Sequence, residues 1–408
     1  MKNGFKKILS GILAGALAVS LCGCADNGYI MTVDGMDIRN GIYIYYQQDA
    51  YAVANDKLNE IFNSGDSENS IDTTSLDFFA QTIENKSSSD WVKNETLRLI
   101  RQYVAIQRIC EERNITLDDE DINEVNEIIR EMWDEDNYIY QIYYGINNLG
   151  EYYESCGISR ESMTMLYKVN SLKSKLFMSI YGEGGEQAVS EDEFIDHINK
   201  TYASAQIITI PYNDEHGKAT TDTERIEERK VFAQSYADML NEGKSFADVM
   251  YECELAIQKE IAKAKATDEY NENPNDDMTL EEYVKEAVDA VTADKIDEED
   301  ADTLFRRDAD KDSYSYDENL VDYVLNADTF DTAVIYPSED KNCVYVVVVT
   351  DITKNTHWQD KNREAVLTEI KGNSFEGFLD LYSQNYEIEM NSYLVDTKYS
   401  PEKLFKSE

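Results

Sequence analysis

The sequence predicts a mostly helical α+β protein in which a strand-bounded module is inserted into a helical frame. Two runs of β-prone residues, 205–210 and 344–349, bound the module, and apolar residues recur at helical spacing before and after it. The 408 residues include only 4 prolines and 18 glycines, which suits long helices because both residue types disfavour helix interiors. We therefore expect residues 24–200 and 355–408 to form the frame and residues 201–354 to form the module.

The frame carries clear local signals. Asp34-Gly35 lies between two apolar runs and predicts a two-residue hairpin turn. Apolar stripes at spacings of three and four residues predict helices over 91–110, 122–132 and 165–176. A further long helix is expected from Thr356 to about residue 385. We interpret the apolar stripes as the core of a helical bundle.

The first residues predict export and lipid attachment. A lysine-containing start precedes an apolar stretch of 14 residues, Ile8 to Leu21, which is typical of a secretory signal and too short for a stable membrane span. The next residues resemble a bacterial lipobox, in which Cys24 fits the lipid acceptor better than Cys22 because the bulky Leu21 precedes Cys22. We expect residues 1–23 to be removed and Cys24 to anchor the protein on the outer face of the cytoplasmic membrane. An ordinary signal peptide with an incidental cysteine is the alternative.

The charge balance restricts the partners. The chain has 82 acidic and 38 basic residues, a net charge of -44. Such a chain repels phosphate groups, so we expect no nucleic-acid binding. The charge favours basic partners or cations.

Cysteine and histidine spacing predicts no metal, redox or cofactor chemistry. The four cysteines beyond the lipobox are widely spaced and form no C-x-x-C motif, so we expect buried free thiols, although export would permit disulfides. These cysteines are Cys110, Cys156, Cys253 and Cys343. The three histidines are far apart in sequence. Residues 308–312 resemble the start of a calcium loop, but Ser313 and Asn319 stand where that loop requires glycine and glutamate.

Two groups of residues are candidates for an apolar client-binding surface. One is the tyrosine-rich segment with Tyr138, Tyr140, Tyr143 and Tyr144. The other is the pair Met163 and Met165, because methionine adapts to apolar partners of varied shape. Core packing is the alternative for both groups.

The order of motifs resembles the extracytoplasmic foldases of the PrsA and SurA type. The turn Val33-Asp34-Gly35 leads into a tyrosine-rich helix, and residues 205–210 stand where the first parvulin strand belongs. Residues 232–246 are similar to the parvulin helix that ends G-x-x-F-A, residues 317–325 to its last helix, and residues 343–349 to its final strand. The resemblance implies a SurA-like helical chaperone domain, completed by the C-terminal helix, with an inserted parvulin-like isomerase module. The implied partners are unfolded or nascent exported polypeptides, and a homodimer remains open.

The module departs from the family pattern where the catalytic histidines belong. Gln206 occupies the histidine position of the first strand, and Tyr345 occupies that of the last strand. An acidic insert, about residues 255–301, replaces the family's glycine-rich loop. We expect isomerase activity to be weak or lost, with Gln206 and Tyr345 lining what is left of the pocket. The alternatives are an active peptidyl-prolyl isomerase and an envelope lipoprotein that binds a ligand or a partner without acting as a foldase.

Overall fold

The computed structural model describes residues 26, 28–63, 77–274 and 277–405, with the side chains of residues 63, 143 and 144 excepted. The chain divides into two compact units. Unit 1 comprises Met1–Ala188 and Lys371–Glu408, and unit 2 comprises Val189–Ile370. The predicted class, a mostly helical α+β fold, is confirmed. Cys24, the residue expected to carry the lipid, lies outside the described residues.

Unit 1 opens with the predicted hairpin. Strands β1 (Tyr29–Val33) and β2 (Met36–Arg39) are antiparallel. The turn residues Asp34 and Gly35 have φ angles of 49° and 74°, the left-handed geometry that joins two strands through two residues. Asparagine, aspartate and glycine adopt this geometry at low cost, which is why the Asp-Gly pair was a reliable signal.

Helices make up most of the rest of unit 1. They are α1 (Asn40–Asn63), α2 (Ser88–Arg113), α3 (Asp119–Asp134), α4 (Tyr138–Tyr144), α5 (Leu149–Ser155) and α6 (Arg160–Tyr181), with a small hairpin of β3 (Thr82–Ile83) and β4 (Lys86–Ser87) before α2. Local capping sets several of the starts. The Asp118 side chain accepts hydrogen bonds from Glu120 N and Asp121 N. The Asp121 side chain accepts one from Asp118 N, which completes a capping box at the start of α3.

A buried carboxylate joins the starts of α1 and α6. Asp26 Oδ1 accepts from Gly41 N at 2.9 Å, and Asp26 Oδ2 accepts from the Ser159 hydroxyl at 2.9 Å and from the Ser162 hydroxyl. A Cβ at Gly41 would stand 2.2 Å from Asp26 Oδ2, so only glycine permits this approach. The amino ends of the two helices therefore share one negative group, as their dipoles favour.

Unit 2 is a four-stranded antiparallel sheet with helices on both faces. Its elements are α7 (Glu191–Thr201), β5 (Tyr202–Pro211), α8 (Thr223–Asn241), α9 (Phe246–Glu272), α10 (Leu280–Asp289), β6 (Thr303–Arg306), α11 (Glu318–Leu325), β7 (Ala333–Ser338) and β8 (Cys343–Thr350). The strand order is β6-β5-β8-β7. One face packs on α8 and α9, and the other face packs on α11. The first seven residues of β8 are buried, as its run of valines requires.

The expected acidic insert is largely a continuation of α9. Cys253 and Ile257 pack into the core on the first face of the sheet, so α9 does not leave the fold at about residue 255. Helix α10 folds back beside α9, where the Tyr270 and Tyr283 rings lie 5.7 Å apart. The return segment then caps α9, because the Glu298 carboxylate accepts from Phe246 N at 3.0 Å and from Ala247 N at 2.8 Å.

The C-terminal helix α12 (Thr356–Ser383) begins in unit 2 and ends in unit 1. In unit 1, Arg98 bonds Asp380 at 3.0 Å and the Phe375 ring lies 5.3 Å from that of Phe177. Strand β9 (Ile388–Met390) then pairs with β1, and α13 (Pro401–Phe405) ends the described chain. The N-terminal and C-terminal segments thus share one sheet and one helical core.

Candidate functional site

The two positions expected to hold catalytic histidines lie on opposite faces of the sheet. Gln206 pairs with Val348, whose side chain packs on the α8–α9 face. Tyr345 pairs with Thr209 and packs on the α11 face. Directly opposed residues of an antiparallel pair point to the same side, so Gln206 shares a face with Val348 and not with Tyr345. The expectation that Gln206 and Tyr345 line one pocket is wrong.

Tyr345 sits in a closed polar cluster. Its side chain is 2% exposed, and its ring meets that of Tyr316 edge to face at 5.9 Å. Nearby, the buried Ser338 hydroxyl donates to Asp317 Oδ2, and this bond lowers the pKa of Asp317. Burial, together with the neighbouring Cys343 thiol, raises the pKa of the Tyr345 hydroxyl. These polar groups are satisfied by one another and are covered, so the cluster stabilises the fold and presents no open face to a substrate peptide bond.

The clearest exposed apolar surface of unit 1 is on α4, and we call it the α4 surface. It consists of Tyr138, Ile139 and Ile142, which are 75%, 59% and 57% exposed. Tyr138 was expected from the sequence, and the two isoleucines were missed. Their spacing of one and three residues places all three side chains on one side of a short helix. Tyr140 is partly buried, and the side chains of Tyr143 and Tyr144 lie outside the description.

The two methionine candidates differ in exposure. Met163 is 0% exposed and belongs to the core, so its expected place on a client-binding surface is wrong. Met165 is 36% exposed. The reason is the helical repeat, because two residues that are two positions apart on α6 point about 200° from each other.

Hydrogen bonds at both ends hold α4 in place. The Asn137 side chain accepts from Ile139 N at 2.9 Å, and Gly145 ends the helix with φ 67°. Asn137 N also donates to Asn147 O at 2.8 Å, and Asn147 is in turn bonded to Glu151. The apolar side chains of α4 are therefore presented to solvent by a bonded segment with defined ends.

Elsewhere in unit 1, the partly exposed Tyr45 and Tyr46 form a tyrosine stripe with the buried Tyr103. Tyr45 and Tyr46 meet edge to face at 5.7 Å, and Tyr46 meets Tyr103 at 5.9 Å. Burial raises the pKa of Tyr45 to about 12. Asp49 follows one turn later on α1, and burial together with the Glu95 carboxylate raises its pKa. The stripe combines aromatic surface with an acidic group that a basic side chain would stabilise.

Three further roles of the described residues would be as metal ligands, as reactive thiols and as membrane-spanning helices. No three or more His, Cys, Asp or Glu side chains among them come together as a metal site. The four cysteines of this part of the chain are free and buried. Burial raises the pKa of the Cys253 thiol to about 12, which makes it unreactive. No helix in the described ranges combines the length and apolar character needed to cross a membrane.

Comparisons with known proteins add a distant similarity. No family model matches the chain, and no curated protein matches it. Among the solved structures that match is the crystal structure of foldase protein PrsA from Streptococcus pneumoniae. It is 13% identical, with a TM-score of 0.31, over 76% of this chain and 92% of that chain. The chain is thus similar, at a distance, to a solved foldase.

Proposed function

We propose that the protein is an extracytoplasmic chaperone that holds unfolded exported polypeptides and does not accelerate prolyl isomerisation. Lipid on Cys24 would keep it at the outer face of the cytoplasmic membrane. The single observation that carries the proposal is the α4 surface. Three large apolar side chains in water on a hydrogen-bonded helix form a binding surface for apolar segments of a client.

The energetics favour a covered state of this surface. Fully burying one large apolar side chain is worth about 1.5–3 kcal/mol, and Tyr138, Ile139 and Ile142 are each still more than half exposed in the free protein. An unfolded polypeptide supplies apolar side chains without requiring a partner of one fixed shape. In the tyrosine stripe, the partly exposed Tyr45 and Tyr46 offer further aromatic area beside Asp49.

The separation of Gln206 from Tyr345 supports the absence of isomerase activity. Rotation about a peptide bond faces a barrier of about 18–20 kcal/mol, and a catalyst needs fixed polar groups that converge on the twisted bond. Groups on opposite faces of one sheet cannot converge. The alternative of an active isomerase therefore loses its candidate site.

Suppression of client aggregation tests the chaperone function. We expect the purified protein to suppress aggregation of a denatured client at equimolar concentration, and Ile142→Ser to weaken this effect several-fold. Leu381→Ser is the matched control, because Leu381 is 67% exposed in the same unit and lies outside the α4 surface. Absence of suppression by the unaltered protein would sink the proposal. Equal losses in the two variants would remove the α4 surface from it.

A further inference from the structure

The α4 surface lies within an acidic segment. Residues 130–154 contain six carboxylates and one basic side chain, a local net charge of -6 + 1 = -5. The carboxylates are Glu131, Asp134, Glu135, Asp136, Glu151 and Glu154. The apolar side chains of the α4 surface are thus followed and preceded in sequence by negative charge.

The two arginines near this segment, Arg130 and Arg160, already pair with its carboxylates. Arg130 pairs with Glu135 at 2.7 Å, and Arg160 holds Asp134 through two bonds of 2.9 Å. Among the described residues no cation lies within 4.0 Å of Asp136, which is exposed directly before the Asn137 cap of α4. Asp136 therefore keeps its charge available to a bound partner.

Neutral donors hold two further carboxylates. Glu154 accepts from Trp133 Nε1 at 2.9 Å, and Glu151 accepts from Asn147 N at 2.8 Å. These bonds orient the carboxylates and leave their charge uncompensated. The backbone bond from Asn147 lowers the pKa of Glu151, so this group stays ionised at neutral pH.

We infer that the α4 surface selects client segments in which apolar residues are flanked by lysine or arginine. This inference rests on the proposed chaperone function and adds the class of substrate. Apolar client residues cover Ile139 and Ile142, basic side chains reach the carboxylates around them, and the face of Tyr138 accepts a cation. The net charge of -44 draws such segments towards the protein at low ionic strength.

The same charge argues against a second copy of the chain as the occupant. In a two-fold symmetric contact the surface meets itself. Two segments of charge -5 would then face each other across a desolvated contact, where repulsion between like charges is strongest. A cationic segment of another polypeptide meets no such barrier.

Binding of matched peptides tests the inference on the full protein. Three labelled extended peptides share one set of leucines and carry lysine, serine or glutamate between them. We expect the lysine peptide to bind about tenfold more tightly than the glutamate peptide at low salt, with the difference shrinking at high salt. Asp136→Lys should reduce that preference several-fold, and Ile142→Ser should weaken the binding of all three peptides. Glu389→Lys makes the same charge change on an exposed residue of β9 and should leave the preference unchanged.

The outcomes separate this inference from the proposed function. If the protein suppresses aggregation but binds the lysine and glutamate peptides equally, the inference is overturned and the chaperone function stands. If it neither suppresses aggregation nor binds any peptide, both fall. If sedimentation shows a dimer that Ile142→Ser converts to a monomer, a second copy occupies the surface and the inference is overturned.

Discussion

Placing histidines at positions 206 and 345 should destabilise the module without creating an isomerase. The Tyr345→His change removes an edge-to-face ring contact worth about 1 kcal/mol. It also places a second polar imidazole nitrogen in a site that is 2% exposed, which costs about 1–3 kcal/mol if that nitrogen finds no partner. The expected loss is about 2–4 kcal/mol. Gln206→His, at a partly exposed position, should change stability by less than about 1 kcal/mol.

Two measurements check this expectation. Urea unfolding of each single variant gives the loss of stability, and Tyr345→Phe serves as the control that keeps the packing and removes only the hydroxyl. Proline-limited refolding of a client then measures isomerase activity of the Gln206→His/Tyr345→His double variant. We expect the refolding rate to equal the uncatalysed rate, because the two imidazoles stand on opposite faces of the sheet.

Acceleration of refolding by the double variant would refute the reasoning. It would require both imidazoles to act on one peptide bond, which the register of β5 and β8 does not permit. An undiminished stability of Tyr345→His would refute the closed character of the cluster around this residue.

Three further predictions concern unit 1. Met163→Ala should lower the free energy of unfolding by about 2–5 kcal/mol, because Met163 is in the core. Met165→Ala should lower it by less than about 1 kcal/mol. Urea titration measures both losses, and equal losses would contradict the assignment of Met163 alone to the core. Asp26→Ala should cost about 2–4 kcal/mol, since it leaves a backbone amide and two hydroxyls without their acceptor. Thermal unfolding checks this, and an unchanged midpoint would show that the carboxylate does not hold the helix starts. Burial alone would raise the pKa of Glu376, but Lys173, at 2.7 Å, and its other partners outweigh burial and hold the pKa below 4.5. Its contribution is therefore complete above the unfolded pKa and is lost as the pH falls through the lower folded value, so Glu376→Gln should lose less stability between pH 6 and pH 3.5 than the unaltered protein. An equal loss would exclude this ion pair as a source of the pH dependence.

Local signals were sufficient for most of the secondary structure. The Asp34-Gly35 turn and the valine run of β8 each carry a short-range physical cause, and both elements are where the sequence predicted them. Strand β6 was missed because its four residues, Thr303–Arg306, are too few to show an alternating pattern. Its place in the sheet depends on pairing with β5, which is distant in sequence.

The positions of Gln206 and Tyr345 relative to each other depend on how two strands pair, which the sequence of a single strand does not reveal. Whether Gln206 and Tyr345 share a face is set by the register between β5 and β8, and a shift of one residue would reverse the answer. The methionine pair is different, because the helical repeat alone excludes a common face for Met163 and Met165. The apolar side of α4 could not be identified by periodicity, since nearly every residue of this short helix is apolar or aromatic.

The pairing of β1 with β9 bears on the order in which the two units can fold. All strands of the sheet in unit 2 lie between Tyr202 and Thr350, so this unit is complete once the chain has emerged as far as Ile370. Unit 1 contains the first residues to be synthesised but is completed last. Strand β1 pairs with residues 388–390 and Arg98 bonds Asp380, and both partners are synthesised after unit 2. During that interval the hairpin edge is unpaired, and a premature stop after residue 370 would leave unit 2 folded and unit 1 permanently unfinished.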